Sequence, residues 1–240
     1  MTRARSNRHD GAMDLTYDDL ARLMTTMTGD EKHGPSATST IDVLWVLYDR
    51  ILNVSPATVD DPDRDRFLLS KGHGPAAYYA VLAAKGFVPE SWLAGFGGID
   101  SALGYHPDRN LIPGVEIASG SLGHGLPLGV GVAHGLLATG RTTPRVFVLV
   151  GDAELDEGTN QEAIVYAGAA GLPNLTVVAI DNRSSTYGWR GGIGSHFAVA
   201  GWSTMTVDGR DHRQIADALA VRPADRPHLV VAVVESRDES

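Results

Sequence analysis

The sequence predicts an α/β fold, a mostly parallel sheet with helices on both faces, formed as a single domain over residues 14–240. Three observations carry this. Five short apolar runs read as strands: FLLS at 67–70, RVFVLV at 145–150, NLTVVAID at 174–181, STMTV at 203–207 and HLVVAVV at 228–234. The second, third and fifth are continuous rather than alternating, which suits strands buried on both faces. Helical patterns separate the runs, and parallel strands need such crossovers. A chain of 240 residues that is 43% hydrophobic with 28 Gly has the length for one large α/β domain with tight turns.

Each helix has its own signal. Residues 14–28 carry Leu20, Leu23, Met24 and Met27 at helical spacing, with Asp14 as a candidate cap. Ser39 or Thr40 is placed to cap an amphipathic helix over 40–52, with Ile41, Leu44, Trp45, Tyr48 and Ile51 inward. Pro75 suits the first turn of a helix that ends at Gly86. A short helix is expected over 89–97, then a long irregular stretch to residue 125, of a length that is usually functional. The Gly- and Ala-rich run 126–140 reads as a helix whose small side chains admit a neighbouring backbone. NQEAIVYAGAAG crosses over between the second and third strands and stops at Gly171. A short helix is expected near 197–201 and a last one over 213–220.

Bulk properties exclude several functions. The net charge of −9 argues against nucleic acid as a partner. With no Cys, disulfides, thiolate catalysis and Cys-based zinc sites are out. No apolar run approaches the roughly 18 residues of a membrane span. Residues 1–13 are basic and polar without an apolar signal core, so they read as a disordered tail and the chain as cytoplasmic.

The chemistry concentrates at strand ends. Asp152 follows one strand and Asn182 the next. If the two strands are neighbours, both side chains emerge at the carboxyl edge, where open α/β sheets bind ligands. A carboxylate and an amide oxygen there are a seat for Mg²⁺ and a phosphate-bearing cofactor. Asp152, Glu154, Asp156 and Glu157 also suit the start of a helix, where the dipole favours acids. His33, His73, His106 and His124 lie in loops beside or near glycines, where a backbone passes close to a ligand and imidazoles donate hydrogen bonds or move protons. They also fit surface or capping histidines, or a His-only zinc site, although no H-x-x-x-H helix is present. SGSLGHG at 119–125 is Gly-rich before a helix but is no Walker loop, since GK[ST] is absent.

These pieces together resemble transketolase. GDAELDEG, with DN thirty residues after its Asp, is similar to the thiamine diphosphate signature GDG…N. DRDRFLLSKGHG resembles that family's DRDRFVLSNGHG, GYHPD its GHPE, SGSLGHGLPLGVGVA its G-x-LGQG helix start, and VDGRD its DGHD turn. DEKHGPSATSTIDVLWVLY resembles the first histidine loop and following helix, and the matches keep the family's order from about 14 to 234. The resemblance implies the diphosphate-binding domain alone, hence the N-terminal subunit of a split transketolase. A C-terminal partner subunit would carry the pyrimidine-binding domain and the activating Glu, in an α2β2 heterotetramer.

The resemblance further implies that Asp152, Asn182 and the Ser184 carbonyl hold Mg²⁺, or Ca²⁺ or Mn²⁺ in its place. His73, Gly120, Ser121, Leu122, Gly151, Asp152, Ala153, Glu154 and Asn182 would bind thiamine diphosphate. His33, His73, His106 and His124 would line the path of sugar phosphate substrates, and Glu157 would couple to the partner. The implied reaction passes a two-carbon ketol unit from a ketose to an aldehyde. Departures from the pattern are Ala153 for the third Gly of GDG, Arg183 where Gly is common, His124 for Gln, and a short 188–202 segment. If the backbone at Ala153 needs positive φ, the substitution costs about 1 kcal/mol; if the Gly only provides clearance, the methyl crowds the diphosphate. The alternatives are a specialised thiamine enzyme serving a carrier thiol or unusual sugar, and a binding paralogue that has lost the cofactor.

Overall fold

In a computed structural model, which describes residues 15–28, 35–72 and 74–235, the five apolar runs pair into one sheet. The strands are β1 (Arg66–Leu69), β2 (Val146–Gly151), β3 (Leu175–Asp181), β4 (Ser203–Asp208) and β5 (His228–Val233). Their order is β1-β2-β3-β5-β4, and every neighbouring pair is parallel. Every residue of β2 is buried, as its unbroken apolar run requires, whereas β4 at the edge is half exposed.

Eight α-helices are described: α1 (Asp19–Thr26), α2 (Pro35–Thr38), α3 (Ile41–Val46), α4 (Ala76–Ala84), α5 (Gly125–Ala138), α6 (Gly158–Ala170), α7 (Gly192–Val199) and α8 (His212–Ala220). Alternate strand residues feed two separate cores. Phe67, Leu69, Phe147, Leu149, Val178 and Ile180 pack with α1, α3, α4 and α8. Leu68, Val148, Val150, Val177 and Ala179 pack with α5, α6 and α7 on the other face. None of the described helices is long and apolar enough to cross a membrane.

This two-sided wrapping places the ligand crevice. The chain leaves β1 toward α4 on one face and leaves β2 toward α6 on the other. Neighbouring strands whose connections diverge in this way open a gap at their carboxyl ends, the topological switch point where α/β sheets take ligands. Residues 70–72, 74 and 151–156 border that gap.

Several local expectations are corrected. The first helix begins at Asp19, whose carboxylate accepts from the Thr16 N–H at 2.8 Å; Asp14 lies outside the described residues. Thr40 stands at the N-cap of α3, but its side chain makes no capping bond there. The Thr40 hydroxyl donates instead to the Ala37 carbonyl, closing α2. The helix expected over 40–52 is α-helical only to Val46 and then widens into a π-turn over Leu47–Ile51. There Tyr48 sits among Phe67, Tyr78 and Phe87, ring centres 5.5–6.0 Å away, an aromatic packing that no 3.6-residue period foresees. The helix expected at 197–201 lies at 192–199, entered through Gly191 and Gly192, both at positive φ, which in sequence read only as loop.

The stretch 96–124 forms neither helix nor strand but is pinned at intervals. Tyr79 Oη donates to the Gly104 carbonyl at 2.8 Å, Arg64 pairs with Glu116 at 2.7 Å, and Leu103, Ile112 and Val115 are buried. On the far face, Gly168 of α6 passes so close to the end of α7 that an added Cβ would fall on the Ala200 carbonyl oxygen. Gly168→Ala is therefore expected to destabilise the chain by about 1–3 kcal/mol, read as a lowered midpoint in urea unfolding.

Candidate functional site

The site is built on the β2–β3 pairing. Gly151 registers with Ile180, and the Asp152 N–H donates to the Ile180 carbonyl at 3.0 Å. Asp152 and Asn182 therefore leave the sheet side by side at its carboxyl edge. Asp152 is 2% exposed, so its charge requires compensation. Its carboxylate accepts from the Ala153 N–H at 2.8 Å, the Ser184 N–H at 2.6 Å, the Ser185 N–H at 3.2 Å and the Ser184 hydroxyl. Asp156 grips the same loop, accepting from the Ser185 hydroxyl at 2.8 Å and the Thr186 N–H at 2.9 Å.

Beside this carboxylate the Asn182 Oδ1 is buried and has no hydrogen-bond partner among the described residues. A buried amide oxygen without a donor costs about 1–3 kcal/mol, and a cation is the partner that would satisfy it. Oxygen donors of this kind suit a hard divalent ion. Among the described residues no three His, Asp or Glu side chains group closely enough to hold a metal by themselves. A cation here would thus draw on Asp152, Asn182, a backbone carbonyl and its ligand's oxygens. The Ser184 hydroxyl, a freely turning donor, is the Asp152 contact most easily exchanged for it.

Backbone conformation corrects one expectation. Ala153 does not occupy the left-handed region; among the described residues the one non-glycine with positive φ is Arg183, at 58°. The strain expected at the altered third position of the signature falls instead on the residue after Asn182, where Gly is common. The Arg183 N–H donates to Asp181 Oδ1 at 3.2 Å, which helps hold that turn.

Glu154, which the resemblance assigns to the cofactor, turns its carboxylate inward and is 1% exposed. It accepts from the Ser70 hydroxyl after β1, the Gly123 N–H at 3.0 Å and the Gly151 N–H at 3.4 Å. Burial raises its pKa, while these donors and Lys71 act against the rise. Ser70 in turn accepts from the Gly125 N–H at 3.0 Å, where α5 begins. The Glu154 carboxylate thus ties three loops together.

Those glycines form the floor of the crevice. A Cβ at Gly72 would lie 2.8 Å from the Gly120 nitrogen, so the two backbones pass in direct contact. Gly120 has φ 128° and carries the His106 ring above it, with a Cβ there falling 2.9 Å from His106 Cγ. His106 Nδ1 lies 3.2 Å from the Gly72 carbonyl, which only accepts, so Nδ1 holds the proton and Nε2 is the accepting nitrogen of the neutral ring. His124 is exposed and its Nδ1 sits in the same way 3.1 Å from the Leu122 carbonyl. Ser121 is exposed and Leu122 half-buried on this loop. Glu157 is exposed at the start of α6 and makes no capping bond.

The structure therefore gathers His106, Gly120, Gly151, Asp152, Ala153, Asn182 and Ser184 around one crevice, with Ser121, Leu122 and His124 on the adjoining loop. His33 and His73 lie outside the described residues. Three participants were missed: Ser70, Asp156 and Lys71. Lys71 is 8% exposed, and burial pushes its pKa down to about 8 against the pull of Asp152 and Glu154. Its signal in the sequence was a lone charge directly after the apolar run FLLS.

Residues 23–234 match the family model described as "Transketolase, thiamine diphosphate binding domain". The chain belongs to the transketolase family. A Rhodococcoides fascians protein named ferredoxin fas2 is 57% identical over 221 residues, 92% of this chain and 73% of that protein. This transketolase-type chain has no Cys, so thiolate ligands for an iron–sulfur cluster are not in its sequence. One subunit of the apulose-4-phosphate transketolase of Actinobacillus succinogenes is 36% identical, over 91% of this chain and 85% of its own length. The transketolase structure from Campylobacter jejuni shares the fold, with a TM-score of 0.75 and 24% identity over 90% of this chain and 37% of that one. The chain thus corresponds to most of a separately named subunit, but to little more than a third of that full-length transketolase.

Substitutions at two positions test the assignment of structural roles. Glu154→Ala strands three buried donors at about 1–3 kcal/mol each and is expected to lower stability by several kcal/mol in chemical denaturation. Arg183→Val places a β-branched residue at positive φ and is expected to cost about 1–2 kcal/mol, whereas Arg183→Gly is neutral or slightly stabilising in the same measurement.

Proposed function

We propose that the chain is the diphosphate-binding subunit of a two-component, transketolase-like enzyme that transfers a two-carbon ketol unit from a ketose phosphate to an aldehyde. The observation that carries the reading is the unpartnered Asn182 Oδ1 beside Asp152, at the glycine-floored crevice between β1 and β2. Asp152, Asn182 and a backbone carbonyl at Ser184 would hold Mg²⁺, and the backbone at Gly120 and Gly151 would lie against the diphosphate. When bound, thiamine diphosphate supplies the carbanion that accepts and passes on the ketol unit. The chain's own part is to orient and to handle protons. His106, its ring fixed by Nδ1 on the Gly72 carbonyl, is assigned to substrate hydroxyls, and His33, His73 and His124 are assigned the same kind of role.

The partner follows from the family. The relatives named as subunits imply one, and this chain offers a surface for it. Leu128 and Val132 of α5 and Val165 and Tyr166 of α6 are 36–63% exposed, and Tyr166 Oη lies 3.1 Å from His134 Nδ1, joining the two helices into one apolar face. An α2β2 heterotetramer would cover it, with Glu157 at its margin. Sedimentation of the chain with its partner is expected to show that assembly; a monodisperse monomer in the mixture counts against it.

A second reading concerns the acceptor. Two relatives are named for uncommon ketoses, apulose-4-phosphate and 6-deoxy-6-sulfo-D-fructose, the latter 30% identical to this chain. With His124 and Arg183 departing from the common pattern, this favours a specialised sugar over pentose phosphates. Titration of the two-subunit complex with thiamine diphosphate and Mg²⁺ is expected to give saturable binding that Asp152→Ala weakens about a hundredfold or more; absence of binding removes the enzyme reading. Robust sedoheptulose 7-phosphate formation from xylulose 5-phosphate and ribose 5-phosphate removes the specialised one.

A further inference from the structure

Lys71 is the charged group in the crevice that the metal and diphosphate contacts assigned so far do not use. It stands at the end of β1, on the strand bordering the switch point, where the family's segment carries Asn. Its stem lies over Gly151: a Cβ built there would sit 3.2–3.5 Å from the Lys71 side-chain carbons. Its Nζ is 3.5 Å from Ser39 Oγ, and the carboxylates of Asp152 and Glu154 both favour its charged form. The next residue, Gly72, is the one that touches Gly120. A buried ammonium thus lies beside Ser39, its stem over the glycine that precedes Asp152, with the charges of Asp152 and Glu154 acting on it.

We propose that Lys71 is a standing cation of the cofactor seat, which binds the anionic diphosphate alongside the divalent metal and so makes cofactor binding less dependent on that metal. The proposal rests on the thiamine diphosphate reading of the site. Its physics is a matter of sign. A fixed positive charge beside Asp152 attracts a polyanion but repels a second cation. It therefore raises affinity for the diphosphate most when the metal is scarce, and its contribution is diluted when the metal is saturating. A residue that merely neutralised Glu154 would act on folding, and its loss would weaken cofactor binding by the same factor at any metal concentration. Asn at this position has no charge to contribute and leaves the whole task to the metal.

The test uses the complex of the chain with its partner. Thiamine diphosphate binding is followed by calorimetry or tryptophan fluorescence, once in excess EDTA and once at saturating Mg²⁺, for wild type, Lys71→Met, Lys71→Asn and Lys71→Arg. Circular dichroism and thermal melts establish that each variant is folded. The wild type is expected to retain measurable binding in EDTA. Lys71→Met and Lys71→Asn are expected to lose about tenfold or more in EDTA, as one unit charge at close range in a partly buried site implies, and less than about threefold at saturating Mg²⁺. Lys71→Arg keeps the charge and should keep most of the EDTA binding. Unphosphorylated thiamine, lacking the anion, should bind all four proteins alike. Equal losses at both metal levels, or no loss, overturn the proposal and leave the cofactor reading standing. No thiamine diphosphate binding by the wild type at saturating Mg²⁺ overturns both.

Discussion

The buried carboxylate of Glu154 is the interaction on which the rest of the site depends. Three segments far apart in sequence donate to it: Ser70 after β1, Gly123 before α5 and Gly151 at the end of β2. A carboxylate this deep is costly unless hydrogen-bonded, so the three loops are held together by the requirement that it be satisfied. That requirement sets the separation of Gly72, Gly120 and Gly151, and hence the shape of the crevice floor. Burial lowers the Lys71 pKa to about 8, and the charges of Asp152 and Glu154 act against that fall. The crevice therefore combines a braced anion, a held cation and a second anion that faces outward.

The second constraint is the loop after β3. It is bound at Asp152 and Asp156 through Ser184, Ser185 and Thr186, and it turns back through a left-handed Arg183. Strain at a non-glycine residue persists where surrounding bonds over-determine the backbone, and here four residues in a row are engaged. Beside this turn Asn182 keeps its Oδ1 buried and without a hydrogen-bond partner among the described residues.

The chain's outer surface fits the same picture. The cores on the two sides of the sheet are closed, yet α5 and α6 leave Leu128, Val132, Val165 and Tyr166 facing outward next to the loops of the crevice. The small residues of α5, among them Gly131 and Gly135 with open space around them, keep this face flat. The chain spans 37% of the Campylobacter jejuni transketolase chain whose fold it shares.

Sequence alone determined the five strands, the crossover between β2 and β3 and the emergence of Asp152 and Asn182 at one edge, because unbroken apolar runs and loop spacing are local properties. It also carried the family pattern through DRDRFLLSKGHG, GYHPD and GDAELDEG. Only the tertiary structure decided what each of the neighbouring acids holds. Asp152 and Glu154 are two residues apart, but the first is gripped by the loop after β3 and the second by donors from Ser70 after β1 and from the loop before α5. Likewise the strain moved from Ala153 to Arg183, and Lys71 became part of the crevice, because backbone conformation and burial follow from how distant segments pack.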